Sequence, residues 1–306
     1  MLSYTDIIKK AYHITRRFPV LWLFGFFVVG GFSFNFLHFQ NGTAEKLSQP
    51  FSWSQAQVFF QTHPAVLAGI SVSLLIISVG GLLLTNWCRV MLVLLTNEVL
   101  EKPNMNVPAQ IKASKKPLWP VIKVSLLTSL MLILVVAGLL GAPLWSNLDA
   151  SSKTALWSIA SVIFLPLAFT ISCVNIFTTF FIVLHKMPFR SALNAGTDFF
   201  LVNWNKVLGL GFVLGVIFLA GSSVGGAIVY FSRLLISFVQ LSDLGFGTVS
   251  ATIVIIQSVA AAILWLILAI LNVFFNTSLQ LLFLQLVTPT KAEEGVKEMA
   301  VSPVVS

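Results

Sequence analysis

Apolar residues gather into six long stretches, at about residues 20–38, 65–86, 121–143, 155–176, 207–231 and 250–271. A hydrocarbon core about 30 Å thick is crossed by about 20 apolar residues in a helix, and each stretch meets that length. The pattern predicts an all-α polytopic membrane protein with six transmembrane helices. A different period precedes the first stretch. Ser3-Tyr4-Thr5-Asp6 starts a helix with an acid three residues after a serine, as in a capping box. Tyr4, Ile7, Ile8, Ala11 and Tyr12 then make one helical stripe, with Asp6, Lys9, Lys10, His13, Arg16 and Arg17 opposite. This predicts an amphipathic helix over 3–17 lying along the inner membrane interface, ended by Phe18-Pro19. Lys9, Lys10, Arg16 and Arg17 are its expected contacts with lipid headgroups.

Similar segments precede the odd-numbered spans. Lys112-Ala113-Ser114-Lys115-Lys116-Pro117-Leu118-Trp119-Pro120-Val121 leads into the third, where Pro108 and Pro117 should interrupt a helix. Before the fifth, Phe189, Ala192, Leu193, Gly196, Phe199 and Phe200 share a stripe that ends at Asn203-Trp204. Three hairpin repeats follow, at about 1–98, 105–186 and 187–288, within one six-span domain covering 1–288. Because a two-span unit returns to its starting side, the repeats share one orientation.

Charge orients the bundle. On this reading fifteen of the eighteen Lys and Arg residues lie on one side, and only Lys46, Lys153 and Arg233 on the other. Cytoplasmic loops carry such an excess, so both termini are expected in the cytoplasm of a bacterial cell, with the spans in its inner membrane. The tail 289–306 is polar and expected to be disordered. Long cytoplasmic loops are expected at 99–120 and 186–206. The outer loops are expected at 39–64, with an aromatic-rich segment at the interface, and, shorter, at 144–154 and 232–249. Asn41-Gly42-Thr43 matches a glycosylation sequon of the kind chance supplies. The first twenty residues lack the form of a cleavable signal peptide, so the first span should stay as an anchor.

Composition agrees: 57% of residues are hydrophobic and 9% charged, against about 25% charged in globular proteins. The net charge of +8 is a topological signal, with no nucleic-acid partner implied. Cys88 and Cys173, towards the cytoplasmic ends of spans, are expected as buried thiols because the cytosol is reducing.

The segments Tyr4 to Gly25 and Phe189 to Gly211, each an amphipathic helix, a Phe-Pro or Asn-Trp break and a span, resemble the bacterial glycerophosphoryl diester phosphodiesterase membrane-domain family and related six-span proteins. The likeness covers the membrane part. In the named enzymes a soluble catalytic domain follows it, so the resemblance does not imply phosphodiesterase activity for these residues.

Catalytic patterns are missing from the sequence. His13, His38, His63 and His185 stand apart from one another and from Cys or carboxylates at metal-ligand spacing. No cofactor and no metal is expected, and no catalysis. Asp, Glu, Lys and Arg are missing from the central parts of the six stretches, which disfavours coupled transport through acidic relays. The expected role is a membrane scaffold or accessory protein engaging membrane lipids and a protein partner on the cytoplasmic side. The alternatives are a lipid or small-solute transporter or channel, and the membrane module of a lipid-processing enzyme encoded on another chain.

Polarity within the spans is mostly amide. Asn86 near Arg89, Asn175, and Asn272 with Asn276 and Gln280 recur late in the even-numbered spans, beyond which the helices stay apolar: Val90 to Leu94, Phe180 to Leu184, Leu281 to Leu284. A helix from Ala65 to Glu98 would be about 51 Å long at about 1.5 Å per residue, well over the hydrocarbon thickness. Apolar stems leaving the bilayer must be covered. The three even-span ends are therefore expected to converge beneath the membrane, collared by helices 3–17 and 189–202, with Asn86, Arg89, Asn175, Asn272 and Asn276 as a polar centre. In the fifth span, the GxxxG spacings Gly211/Gly215 and Gly221/Gly225 should allow close packing within the bundle.

Overall fold

A computed structural model describes residues 3–28, 64–102, 105–145, 149–241 and 246–287. The described residues contain seven helices and no strand: α1 Tyr4–Arg17, α2 Val20–Val28, α3 Pro64–Glu101, α4 Val107–Trp145, α5 Ala150–Leu184, α6 Phe189–Leu241 and α7 Phe246–Val287. Five of them, α3 to α7, are long and apolar enough to cross a membrane. Their shafts expose what a soluble protein buries. Leu75 and Ile76 of α3 are 65% and 64% exposed, and Leu165 of α5 is 67% exposed. Contiguous apolar surface on this scale calls for lipid around it. The chain is a helical, multi-pass membrane protein.

Of the first expected span only 20–28 is described, as the nine-residue helix α2; the rest of that stretch, the 39–63 segment with its sequon, and the tail from residue 288 lie outside the described residues. α1 and α2 are separate helices, broken at Phe18-Pro19 as expected. α1 begins where the Ser3 carbonyl accepts from the Asp6 and Ile7 amides. Its Ile7, Ala11 and Ile14 are buried, and Lys9, Lys10, His13, Arg16 and Arg17 are exposed. Tyr12, placed on the apolar stripe by its spacing, is 58% exposed instead.

Two expected loops are largely helix. In place of a 99–120 loop, α3 runs to Glu101 and α4 starts at Val107. Pro108 does not interrupt α4, because it falls in the first turn, where its missing N–H has no intrahelical partner to lose. Asn106 caps that turn, its Oδ1 accepting from the Ala109 amide at 3.2 Å. α4 also continues through Pro117 and Pro120. The carbonyls these two release belong to Ala113 and Lys116, residues exposed enough for water to take the bond. In place of a 232–249 loop, α6 continues to Leu241 and α7 begins at Phe246.

The break expected at Asn203-Trp204 is real. Asn203 has φ −111° and ψ 15° within α6, and its Nδ2 donates to the Phe199 carbonyl at 3.1 Å, across the kink. α5 is capped by Asp149 before its first residue and by His185 after its last, and Lys186, with φ 55°, then turns the chain.

The chain divides into two compact units, one of Met1–Arg17, Val90–Leu214 and Phe274–Ser306, the other of Phe18–Arg89 and Gly215–Val273. In the second unit, α2 is held from two directions. Thr85 Oγ1 of α3 donates to the Phe27 carbonyl at 3.2 Å, and Trp87 packs edge-on against Phe24. From α7, Trp265 lies against Phe26. Gly25 meets α7 so closely that a Cβ there would stand 2.7 Å from the Ala269 carbonyl oxygen. The same unit packs α6 on α7 through Gly221 and Gly225, which face the side chains of Leu271 and Leu264. This GxxxG pair thus works within the chain. Gly211 and Gly215 do not act as a pair: a Cβ at Gly211 would meet Phe169, and one at Gly215 nothing within 4 Å.

Candidate functional site

In the first unit the carboxyl-terminal stems of α3, α5 and α7 come together. Val90 to Val93, Leu95 and Thr96 are buried on α3, Phe177 to Val183 on α5, and Asn276 to Phe283 on α7. Phe283 is the hub. Its ring centroid lies 5.4 Å from Phe180, 4.9 Å from Phe181 and 5.2 Å from Phe199 of α6. Phe177 approaches Phe199 at 4.8 Å. α3 is tied to α7 by a hydrogen bond from Gln280 Nε2 to the Val93 carbonyl at 3.0 Å. The three even-numbered stems converge, and the amphipathic segment of α6 covers two of them. Aromatic pairs of this kind contribute about 0.5–1.5 kcal/mol each beyond burial.

The cover helix is seated by a glycine. Gly196 lies against Thr178, with no room between it and the Thr178 backbone for a side chain. After the kink, Tyr4 of α1 packs under Gly209 and donates through its hydroxyl to the Lys206 carbonyl at 3.4 Å. α1 and α6 therefore touch within this unit, at a point past the expected cover segment 189–202.

The stems hide polar groups as well as rings. Thr96, Thr178, Thr277 and Gln280 are each fully buried. Thr96 Oγ1, Thr178 Oγ1, Thr277 Oγ1, Gln280 Oε1 and Asn175 Oδ1 are buried with no hydrogen-bond partner among the described residues. A buried acceptor left unpaired costs about 1–3 kcal/mol, so such a concentration is unusual. Of these, the sequence had drawn attention only to Asn175 and Gln280. Threonine is common in apolar helices because its hydroxyl can bond back to its own helix, so nothing in the sequence sets Thr96, Thr178 and Thr277 apart.

The five amide and guanidinium positions expected as a polar centre divide between the units. Asn175 and Asn276 belong to the first, and Asn276 is buried. Asn86, Arg89 and Asn272 belong to the second. There, Asn86 is buried and donates to the Leu82 carbonyl of its own helix at 2.8 Å. Asn272 reaches across to the Gly25 carbonyl at 3.2 Å, which fastens α7 to α2 at their closest approach. Arg89 is partly buried.

Cys88 and Cys173 are buried free thiols. His185 caps α5 and lies against the rings of Phe181 and Phe283 at 5.6 and 5.8 Å. Among the described residues no group of His, Cys, Asp and Glu could hold a metal ion.

No family model, no curated protein and no solved structure matches the chain.

Proposed function

We propose that this protein is a membrane scaffold or accessory protein of the bacterial inner membrane, without catalysis of its own, that engages lipids and a protein partner through its cytoplasmic face. The observation behind this is the packed aromatic junction of three helical stems under a cover helix. Apolar stems longer than a bilayer, gathered into a solid layer with exposed charge on its helices, make a rigid platform at the membrane surface. The fifteen-to-three distribution of Lys and Arg supports a cytoplasmic position for that layer and for both termini. Lys9, Lys10, Arg16 and Arg17 are exposed on α1, as a helix resting on anionic headgroups would have them.

The resemblance of Tyr4 to Gly25 and Phe189 to Gly211 to membrane domains of glycerophosphoryl diester phosphodiesterases supports the same picture, a membrane module that serves chemistry done elsewhere. A second reading, transport of a lipid or small uncharged solute, is favoured by the unpaired buried oxygens of Thr96, Thr178, Thr277 and Gln280.

The test uses photo-crosslinking residues at the exposed positions Arg190, Asn194 and Asp198 of the cover helix in living cells. A scaffold gives one discrete protein adduct at native expression level. Crosslinks to lipid alone, or selective solute flux through the purified protein in liposomes, would overturn the proposal, and flux would install the transport reading. Impermeant thiol labelling of cysteines at Ser3 and Ser302 tests the orientation; labelling from outside intact cells reverses it.

A further inference from the structure

We infer that the outward face of α4 is a binding site for an anionic phospholipid, with its headgroup at Lys116, Trp119 and Lys123 and its acyl chains along the residues that follow. At 3.6 residues per turn, Lys112, Lys116, Trp119, Lys123, Leu126, Leu130, Ile133, Leu134 and Ala137 all fall within about 60° of one line along the helix. Every one of them is exposed, Trp119 at 62% and Leu134 at 63%. The opposite face, with Ser114, Val121, Val124, Ser125 and Thr128, is buried. The stripe is therefore a true outer surface of the first unit, and its chemistry changes once along its length.

Up to Lys123 it is basic and aromatic; from Leu126 it is wholly apolar. The Lys123 ammonium stands 6.0 Å from the centre of the Trp119 ring, within range of a cation–π contact. That contact holds the charge at the level where tryptophan prefers to sit, between headgroups and hydrocarbon. Lys116 lies two turns back on the same line, and Lys115 at its edge, so a phosphate between them meets positive charge from both directions. The apolar part from Leu126 to Ala137 is about 16 Å long at about 1.5 Å per residue. One leaflet is half of about 30 Å, so an acyl chain fits this length. Two lysines two turns apart, with the headgroup between them, select a negatively charged headgroup over a zwitterionic one, at about tenfold per 1.4 kcal/mol and about 1 kcal/mol for each basic residue near the surface.

The inference rests on the reading of the chain as a lipid-engaging membrane protein but uses different residues from the α1 contacts, so the two can fail separately. The experiment is native mass spectrometry of the full chain from nanodiscs of equal phosphatidylglycerol and phosphatidylethanolamine. The wild type should retain phosphatidylglycerol preferentially. K116Q/K123Q should lose roughly tenfold or more of that preference, K116R/K123R should keep it, and K9Q/K10Q/R16Q/R17Q should keep this α4-bound lipid. Unchanged preference in K116Q/K123Q overturns the inference. Loss only in the α1 variant overturns it while supporting the α1 contact, and no preference in the wild type overturns both. Should K116Q/K123Q fail to fold, photoreactive phosphatidylglycerol on the wild type decides: adducts in the segment 107–134 support the site, and adducts confined elsewhere remove it.

Discussion

Gly196 of α6 rests directly on the backbone of Thr178 in α5: a methyl carbon at 196 would stand 2.8 Å from the Thr178 nitrogen and 3.0 Å from its Cα. A backbone cannot rotate out of the way as a side-chain tip can. G196A should therefore push the cover helix off the stems and destabilise the protein by about 1–3 kcal/mol, the usual range for overpacking. Thermal unfolding in detergent measures it. G215A is the control, since a Cβ there meets nothing within 4 Å, and alanine favours helix by about 1 kcal/mol. Equal stability of G196A and wild type would mean the cover helix is not seated on this contact.

Gln280 presents a case where removing polarity should cost little. Its Nε2 is bonded to the Val93 carbonyl and its Oε1 is buried without a described partner. Q280M gives up one bond worth about 0.5–1.5 kcal/mol and removes an orphaned acceptor that costs about 1–3 kcal/mol. Stability in denaturant titration should be unchanged or slightly raised. Q280E, which places a carboxylate in the same apolar junction, should be strongly destabilised at neutral pH. A loss above about 3 kcal/mol in Q280M, twice the bond's ordinary worth, would show that Oε1 has a partner after all.

Lys186, just past the His185 cap of α5, holds a left-handed conformation, φ 55°, which costs an L-residue with a Cβ about 1–2 kcal/mol and glycine almost nothing. The Phe181 carbonyl accepts from both His185 and Met187 amides around this turn, so the geometry is held. K186G should raise the unfolding midpoint. A lowered midpoint would mean the Lys186 side chain contributes more than the backbone loses.

Asp149 gives a pH signature. Hydrogen bonds from Ser151, from the Ser152 side chain and from the Ser152 backbone amide hold its carboxyl down at about 2, from 3.8. A folded-state value below the unfolded one means that the stabilisation is fully present above about 3.8. It declines as pH falls through about 2. Order at the start of α5, followed by hydrogen exchange of the 150–153 amides, should fall across that window in the wild type. D149A should show low order at every pH without that transition. A wild type with no change between pH 4 and 2 would remove Asp149 as the cap.

Much of this architecture was legible in the residues, for reasons that can be named. A run of apolar side chains long enough for a bilayer can only be a helix there, because every backbone group must find its partner within its own segment. Phe18-Pro19 breaks a helix through local chemistry, a missing donor, and the break at Asn203 falls where the amphipathic stripe of the cover segment gives way to an apolar span. The convergence of the even-numbered stems also followed from the residues alone: apolar surface beyond the bilayer must be covered, and the amphipathic stripe Ala192, Gly196, Phe199 was a fitting cover. The prolines of α4 were misleading because Pro108 falls in the first turn, where no bond is lost, and because Ala113 and Lys116, whose carbonyls Pro117 and Pro120 leave without an amide, are exposed, which is not visible in a sequence.

What the tertiary structure alone decided is pairwise proximity. Among the glycines, sequence spacing marked Gly211/Gly215 and Gly221/Gly225 alike, but only the second pair meets a neighbouring helix as a pair, and the approaches of Gly25 to Ala269 and Gly196 to Thr178 carry no such spacing, because contact depends on which face meets a neighbour. Sequence marks Asn86 and Asn272 alike as amides in apolar helices. Only the fold gives Asn86 its own Leu82 carbonyl and sends Asn272 to Gly25 on another helix. Hydrophobic length and periodicity are properties of single segments and survive in the sequence. The satisfaction of a buried oxygen is a property of two segments brought together, and it exists only once the helices have packed.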